Sequence, residues 1–397
     1  MDPRRSFALL WLSQAFSQFG TSVSSLAYPL LILQLTGSAA QAGLVGAVVA
    51  AAGLATRLPA GSLADQHPPR ALMLTADGMR CALLAALTAA VAAGAAGTGL
   101  VVAIVALEVT AGAVFGPAEF RMVRAITPPA ERAIAVGRMQ SRSQLAGLLG
   151  PLAGGALFGV APWLPFAVDA GSYLVSLTLI LVVPSVSAPR TAAGRRGGAW
   201  RWLRSDRLLL PAALWVAFLT ATFSAVGLIV IVVAQDRGAT SAGIGLMSSI
   251  SAAGGLVGAL ITPAVQRRLR PGVVFRVAAA LDTAATLALL PLQSPVLIGV
   301  AGAVAFLSAP IVAASLFGEV ARRAPDDLVG RVQSTVVLVV GLVAPITPIL
   351  AGLVLDRAGS VGGIIACATA FAVLTIVSLV LPAFRRRADP VGAADPS

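Results

Sequence analysis

Long apolar stretches separated by short, arginine-bearing loops run along nearly the whole chain. Each stretch holds roughly 20 residues or more, the length that a helix needs to cross a hydrocarbon core. A helix also satisfies its own backbone hydrogen bonds where water is absent. The pattern therefore predicts an all-α membrane protein with twelve transmembrane helices. The predicted spans are 8–34, 41–63, 71–95, 99–121, 139–161, 164–184, 209–234, 241–264, 272–291, 295–317, 332–355 and 360–383.

One hexapeptide occurs twice, about half the chain length apart. It reads VGRMQS at 136–141 and VGRVQS at 329–334, and each copy stands between an arginine-rich loop and a long apolar run. A two-fold repeat in an apolar chain is typical of transporters built from two related halves. Six helices per half is an even number, so both halves enter the membrane in the same orientation. The predicted architecture is two parallel six-helix repeats.

The composition changes between residues 185 and 208, where glycines and arginines replace the apolar residues. We expect an N-terminal six-helix bundle at 1–184, a cytoplasmic linker at 185–208, a C-terminal six-helix bundle at 209–384 and a cytoplasmic tail at 385–397. In the linker, residues 200–207 place aromatic and basic side chains at helical spacing. We expect a short helix there that lies on the membrane surface.

The composition agrees with a membrane protein, and the charge predicts its orientation. Hydrophobic residues make up 58% of the chain and charged residues 11%, whereas soluble domains carry about 25% charged residues. The net charge is +12 and every basic residue is arginine. Most arginines fall in or beside the loops of one side, which predicts a multi-pass protein of the cell inner (plasma) membrane with both termini in the cytoplasm. The basic balance then indicates contact with membrane lipid and not with nucleic acid.

Residues typical of catalytic or metal sites are scarce. His67 is the one histidine and stands in a loop, while Cys81 and Cys367 fall inside predicted helices, where they fit as small buried hydrophobic residues. The sequence shows no nucleotide-binding loop, metal-ligand cluster or nucleophile–base set. We therefore expect no enzymatic activity, no cofactor and no metal. The expected partners are a small-molecule substrate, protons and membrane lipid, and we expect a monomer.

The loop after span 2 has the spacing of a gating contact. Gly61 is followed by Asp65 and Arg70. A glycine near a helix end lets a neighbouring helix approach, and an acid at the membrane edge can form an ionic latch with basic groups, here with Arg70.

Span 5 carries small residues at a spacing that favours close packing between membrane helices. Read from the residues alone, they fit ordinary small-residue packing. These residues are Gly137, Gly150, Pro151, Gly154 and Gly155.

The twelve predicted helices, the basic central linker and these two motifs resemble the major facilitator superfamily over nearly the whole chain, and span 5 is similar to the signature of its exporters. Residues 76–80, 165–173 and 325–331 resemble the branch that holds macrolide-efflux and enterobactin-exporter type proteins. That branch usually has Gly-Asp in span 1, whereas this chain has Gly20-Thr21. The resemblance implies alternating access between two six-helix bundles, and it implies that the small residues of span 5 join the two halves.

Glu108 is the leading candidate for proton coupling. It follows Thr98 by ten residues, or about 15 Å of helix, which places it near the middle of a roughly 30 Å core. An ionisable residue at that depth costs at least about 2.5–3.5 kcal/mol and is a functional candidate. The resemblance implies that span 4 lines a central cavity, where Glu108 would load and release a proton. The alternative is a static pair with a buried arginine, and Arg57 is the nearest candidate by depth.

Other charged residues within the spans have simpler interpretations. Asp77 and Arg80 are one turn apart, and we expect them to form a network at the cytoplasmic gate. Asp169 lies close to the outer face of span 6, and Asp282 falls in a peripheral span. Both are second-rank candidates for the proton.

Polar side chains on one face of span 1 predict part of the substrate cavity. They fall within about an 80° arc of the helix and can hydrogen-bond into a cavity or, alternatively, to neighbouring helices. The predicted cavity residues are Gln14, Gln18, Thr21, Ser25 and Tyr28, together with Asp169. The predicted gating and structural residues are Arg57, Gly61, Asp65, Arg70, Asp77, Arg80, Gly137, Arg138, Gly150, Pro151, Gly154, Gly155, Gly330 and Arg331.

Together these observations predict a secondary active transporter that exports a small amphipathic compound, such as a drug, an antibiotic or a siderophore, in exchange for protons. One alternative is a nutrient facilitator or importer. The other is a lipid flippase or a membrane scaffold that does not transport. The substrate itself is not predicted, because one fold carries unrelated compounds.

Overall fold

The computed structural model describes residues 3–184, 198–326 and 328–380, and within these ranges every regular element is a helix. The predicted tail at 385–397 and the first part of the predicted linker, 185–197, lie outside the described residues. The helices are α1 (Pro3–Thr36), α2 (Ala39–Gln66), α3 (Pro69–Ala92), α4 (Thr98–Ala113), α5 (Phe115–Ile126), α6 (Arg132–Val160), α7 (Leu164–Val182), α8 (Ala199–Ser205), α9 (Leu209–Asp236), α10 (Ser241–Arg268), α11 (Pro271–Ala288), α12 (Pro295–Phe306), α13 (Ser308–Arg323), α14 (Val329–Gly341) and α15 (Thr347–Val380), with a 3-10 turn at Pro129–Glu131.

The predicted all-helical architecture with twelve spans is confirmed. Eleven helical stretches in the described ranges are long and apolar enough to cross a membrane. The last of them, α15, is divided at Gly359, whose φ of 66° is not helical, so it holds the end of span 11 and all of span 12. Glycine adopts a positive φ at no steric cost. The chain is therefore a multi-pass membrane protein.

Some spans are interrupted. Span 4 consists of α4 and α5, and span 10 consists of α12 and α13. Span 11 begins as α14 and breaks at residues 342–346. Pro345 lies in that break, and its missing N–H and its ring disfavour a continuous helix.

The helix ends gather at two opposite ends of the bundle. At the end that we call distal, Ser38 bonds with Asp356, and Arg237 donates to carbonyl oxygens at 289–292. At the other end, which we call proximal, Arg70 at the start of α3 donates to the last carbonyl oxygens of α7. Alternating helix directions place the start of α1 and the end of α15 at the proximal end.

Two seams join the first half of the chain, taken as the described residues before 185, to the second half, taken as those after 197. In the first half α1 packs on α6 and α7, and α3 packs on α7; in the second half α9 and α11 pack on α15, and α10 packs on α12. The seams are α2 against α15 and α6 against α10. The exact bundle boundaries at 184 and 209 stay a prediction.

The outer surface of the bundle is strongly apolar. Val160 and Leu260, for example, are 78% and 73% exposed. A broad apolar surface of this kind fits contact with lipid. The expected helix in the linker is present as α8, where Leu203 is buried and Trp200 is exposed, and its place on the membrane surface stays a prediction.

Candidate functional site

A cavity of about 890 Å³ lies between the two halves. Its wall is mostly apolar and comes from α1, α2, α4 and α9 above all, while three of its lining residues carry charge: Arg57, Arg80 and Glu108. Thr21 and Tyr28 add hydroxyl groups. An apolar cavity of this size with a few convergent polar groups is typical of a small-molecule site.

Glu108 on α4 is buried and accepts four hydrogen bonds. Its Oε1 accepts from Nη2 and Nε of Arg80 at 2.8 and 3.2 Å, and from the hydroxyl of Tyr173 at 3.1 Å. Its Oε2 accepts from the hydroxyl of Tyr28 at 3.3 Å. The partners come from α1, α3 and α7, so the carboxylate ties four helices of the first half together.

Arg80 on α3 is held on several sides. Besides Glu108 it donates to Oγ1 of Thr21 at 3.2 Å, and its guanidinium carbon lies 4.2 Å from the ring centre of Tyr173, a favourable cation–π geometry. A β-carbon at Gly112 would lie 3.3 Å from the guanidinium. Glycine at this point of α4 therefore leaves room for the arginine.

The ion pair responds to any change in charge, because both of its charges are largely removed from water. The exposed fraction of the side chain is 11% for Arg80 and 6% for Glu108. Two opposite charges in such a place offset each other, whereas the loss of one leaves the other buried without compensation. A proton added to Glu108, or a solute group that competes for Arg80, must change the contacts of both residues.

For the alternative of a static pair, Arg57 was the wrong candidate partner, because Glu108 pairs with Arg80. Arg57 lines the cavity, but it makes no ion pair with any described residue. It lies in the proximal part of α2. It also lines a smaller cavity of about 330 Å³ with Gly330 and other residues of α14.

Part of the predicted polar face of α1 lines the cavity. Thr21, Ser25 and Tyr28 do so, and Ser24, which was not predicted, lines it as well. Gln14 and Gln18 are not among the lining residues. Gln14 is buried, and Gln18 accepts a hydrogen bond from Nε of Arg142 at 3.2 Å.

Neither second-rank acid lines the cavity, although Asp169 was predicted to do so. Asp169 on α7 is fully buried and accepts from Ser24 Oγ at 2.5 Å and from Ser172 Oγ at 3.3 Å. Asp282 on α11 is fully buried in the second half and accepts from Ser308 Oγ at 3.1 Å.

The predicted polar network at the proximal gate differs from the observed one. Asp77 accepts from Ser176 Oγ at 2.6 Å, since Arg80 points to Glu108 instead. Arg70 does not pair with Asp65. It donates at 3.2 and 2.6 Å to the last carbonyl oxygens of α7, which lack partners within their own helix and attract a cation.

A second buried ion pair was missed from the sequence. Nη1 and Nη2 of Arg142 on α6 lie 3.0 and 3.3 Å from the two carboxylate oxygens of Glu119 on α5. Both residues fall inside predicted spans, so their charge was a signal that could have been used. Tyr173 was not among the predicted site residues, and its contact with Glu108 had no signal in the sequence.

The predicted small residues of span 5 face two different neighbours. A β-carbon at Gly150 would lie 2.2 Å from the side chain of Ser22, and one at Gly154 would lie 2.4 Å from the carbonyl oxygen of Val23, so both glycines admit α1. Gly155 admits α10 of the second half, and the carbonyl oxygen of Pro151 faces Gly245 of that helix. The expected packing between halves is therefore carried by the distal part of span 5.

The remaining predicted gating residues differ in their surroundings. A β-carbon at Gly61, Gly137 or Gly330 would meet nothing within 4 Å. The carbonyl oxygen of Arg138 accepts from Trp11 Nε1 at 3.0 Å. Arg331 lies in the first turn of α14.

Known proteins share this fold. A family model described as Major Facilitator Superfamily matches residues 10–348, and comparison with curated protein sequences found no match. Among solved structures, the chain is similar to a bacterial homolog of the human lysosomal transporter Spinster, with 16% identity, a TM-score of 0.71 and coverage of 97% of this chain and 96% of that one. It is also similar to a variant of the nucleoside transporter NupG, with 12% identity, a TM-score of 0.81 and coverage of 96% of this chain and 100% of that one. A third similar structure is a bacterial homologue of the iron transporter ferroportin, with 15% identity, a TM-score of 0.67 and coverage of 95% of this chain and 100% of that one. At these identities the structural likeness shows the fold alone.

Proposed function

Because the chain belongs to the major facilitator superfamily, a family of membrane transporters and not of enzymes, we propose that it exports a small amphipathic compound in exchange for protons. The observation that carries the proposal is the ion pair of Glu108 and Arg80 on the wall of the cavity between the halves. A proton and a solute that both reach this pair compete for the same contacts, and such competition is what couples their movements.

Glu108 is the proposed proton carrier. When its carboxylate takes up a proton, its attraction for Arg80 falls, and the buried guanidinium needs another acceptor. The solute or water in the cavity supplies that acceptor. Because α1, α3, α4 and α7 all contribute to the pair, its rearrangement changes how these helices fit together and so biases the two conformations of the transporter.

The proposed orientation places the proximal end in the cytoplasm of a cell whose inner (plasma) membrane holds the protein. Most arginines flank the loops of that end, and cytoplasmic loops carry such an excess. Both termini are then cytoplasmic. The protein works as a monomer in which the two halves rock about the cavity.

The wall of the cavity supports an amphipathic solute. Apolar residues of α2 and α9 offer a surface for an apolar body, and the hydroxyl groups of Thr21, Ser24 and Ser25 offer hydrogen bonds. The span 5 glycines and the resemblance to the macrolide-efflux and enterobactin-exporter branch support the outward direction. The named solutes of proteins with this fold, a nucleoside and iron among them, differ too much to identify the substrate.

One observation favours a second candidate, a nutrient facilitator or importer without proton coupling. Four hydrogen bonds satisfy the carboxylate of Glu108. A pair held so firmly can be a static part of the first half, and the chain lacks the span 1 acid usual in the branch that it resembles.

The test is solute-triggered proton release in inverted membrane vesicles that hold an acidic interior. The probes are a macrolide, a siderophore and a lipophilic cation, added in turn to vesicles with the wild type, Glu108→Gln or Glu119→Gln. Glu119 is the matched control, because it is a buried acid paired with an arginine but does not line the cavity. We expect one probe to dissipate the gradient with the wild type and with Glu119→Gln, but not with Glu108→Gln.

Equal dissipation by Glu108→Gln and the wild type would show that another group carries the proton. If no probe dissipates the gradient while a labelled probe still exchanges across the membrane, the facilitator becomes the better account. If no probe exchanges either, the lipid flippase and the scaffold remain.

A further inference from the structure

Asp356 at the distal end binds the start of α2 across the interface between the halves. Its Oδ2 accepts from Ser38 Oγ at 2.8 Å and from the backbone N–H of Ala40 at 3.1 Å. Its Oδ1 accepts from the backbone N–H of Ala39 at 2.8 Å. Among described residues, these three bonds are the hydrogen bonds that connect the first half to the second. We call this contact the distal clamp.

The distal clamp has a clear physical basis. The first N–H groups of a helix lack intrahelical partners, and the helix dipole makes this end attractive to a carboxylate. Ser38 also caps α2 from within, because its Oγ accepts from the N–H of Gln41 at 3.3 Å. Asp356 therefore completes the N-terminal cap of a helix in the other half of the chain.

Next to the distal clamp, the seam of α2 and α15 is held by close packing of the two backbones. In the seam of α2 and α15, a β-carbon at Gly43 would lie 2.1 Å from the carbonyl oxygen of Pro348, and one at Gly352 would lie 2.4 Å from that of Ala39. At these close approaches the helices attract each other by van der Waals contact, which is weak for each pair of atoms and has no preferred direction. Hydrogen bonds to a charged group are stronger and directional.

The cavity lies on the proximal side of this closure. On α2 its lining begins at Ala42 and Gly43, which follow the clamp residues directly, and extends to Arg57 towards the proximal end. The seam of α6 and α10 closes the other side, where a β-carbon at Gly155 would lie 2.3 Å from the carbonyl oxygen of Ser241. For the cavity to open at the distal end, α2 must leave α15, and that movement breaks the three bonds of Asp356.

We propose that Asp356 is a gate residue that holds the cavity closed at the distal end, and that the release of α2 from its carboxylate is a step of the transport cycle. The proposal rests on alternating access, which is part of the proposed function. It does not depend on the identity of the solute or on proton coupling. Removing the charge of Asp356 shifts the population of molecules towards those open at the distal end.

The chain offers a matched control. Two Asp-Arg pairs occur at the distal end, Asp356-Arg357 and Asp236-Arg237. Asp236 at the end of α9 accepts a hydrogen bond from Ser360 Oγ, and both residues belong to the second half. Neutralising Asp236 thus removes a similar charge at the same end without freeing one half from the other.

The experiment measures access to the cavity from the distal side. Ser224 on α9 lines the cavity, so Ser224→Cys is introduced into the full chain after Cys81 and Cys367 are replaced by alanine. A membrane-impermeant maleimide is then applied to sealed vesicles, and the labelling rate is compared for the parent, Asp356→Asn and Asp236→Asn. A separate Ala95→Cys chain, with its cysteine in the exposed distal loop after α3, identifies which face of the vesicles is distal.

We expect Asp356→Asn to raise the labelling rate from the distal side about tenfold, the size of effect typical of losing a charged hydrogen bond. Asp236→Asn keeps the rate of the parent. Ser38→Ala raises the rate by a smaller factor, because the two backbone donors remain. If Asp356→Asn does not fold, the Ser38→Ala variant alone tests the proposal.

Two results would overturn the proposal. One is labelling of Ser38→Ala and of any folded Asp356→Asn protein at the parental rate. The other is a rise with Asp236→Asn as large as with Asp356→Asn, because it would mean that loss of any distal charge loosens the bundle. Failure of the proton assay with Glu108→Gln would leave the labelling result unaffected, so the two proposals fail separately.

Discussion

Breaking the Arg80–Glu108 pair from one side should destabilise the protein far more than removing both charges. The perturbation is a double-mutant cycle of Arg80→Met, Glu108→Gln and the combined variant. The atoms Nη2 and Oε1 lie 2.8 Å apart, and both side chains are nearly inaccessible to solvent, so screening by water is weak. Removing Arg80 leaves the carboxylate with two tyrosine hydroxyls only, and the loss of one partner from a buried pair costs about 3–5 kcal/mol.

In the combined variant neither charge remains to be compensated. We therefore expect its loss of stability to be smaller than the sum of the single losses by about 2 kcal/mol, within the range measured for residues in direct contact. The assay is reversible unfolding in mixed micelles titrated with a denaturing detergent. Losses that add within about 0.5 kcal/mol would refute the reasoning, because independent residues behave in that way.

Three further predictions concern Tyr173, the seam of α6 and α10, and the Arg142–Glu119 pair. Tyr173→Phe removes one hydrogen bond to Glu108 and should lower the free energy of unfolding by about 1 kcal/mol. It should also weaken proton release in vesicles without abolishing it. Gly155→Ala places a β-carbon against the α10 backbone and should raise the labelling rate of the cavity cysteine from the distal side. The control is Gly159→Ala, where a β-carbon meets nothing within 4 Å and the rate should not change. Equal rates for the two variants would contradict the claim that the seam of α6 and α10 closes the cavity. Arg142→Met leaves a buried carboxylate on α5 and should lower stability by about 3–5 kcal/mol, while the folded fraction keeps the solute selectivity of the wild type in exchange assays.

The positions of the spans could be predicted because they depend on local properties of the sequence. Twenty apolar residues in a row have few alternatives to a membrane helix. The division of α15 at Gly359 falls between the predicted spans 332–355 and 360–383, and glycine is the residue that tolerates the positive φ found there. The break at 342–346 was not foreseen, although Pro345 marks it.

The pairing of charges could not be predicted, because it depends on how the helices are rotated about their axes. Depth in the membrane made Arg57 the nearest candidate for a static pair with Glu108, yet Arg80 is the residue whose side chain faces it. The contact of Asp356 could not be predicted either, because its partners are far away in the sequence. Asp356 bonds to the N–H of Ala39, 317 positions away, and a single sequence holds no signal for such a contact between the halves.

The most direct test of the account separates exchange from uphill transport in proteoliposomes made with purified protein. A labelled solute identified in the vesicle screen is offered with an imposed pH gradient, and then without the gradient but with unlabelled solute on the opposite side. The account predicts that the wild type accumulates the solute against its gradient, and that Glu108→Gln still exchanges it but no longer accumulates it. Accumulation by Glu108→Gln at the rate of the wild type would contradict the central claim that the Glu108–Arg80 pair couples the proton to the solute.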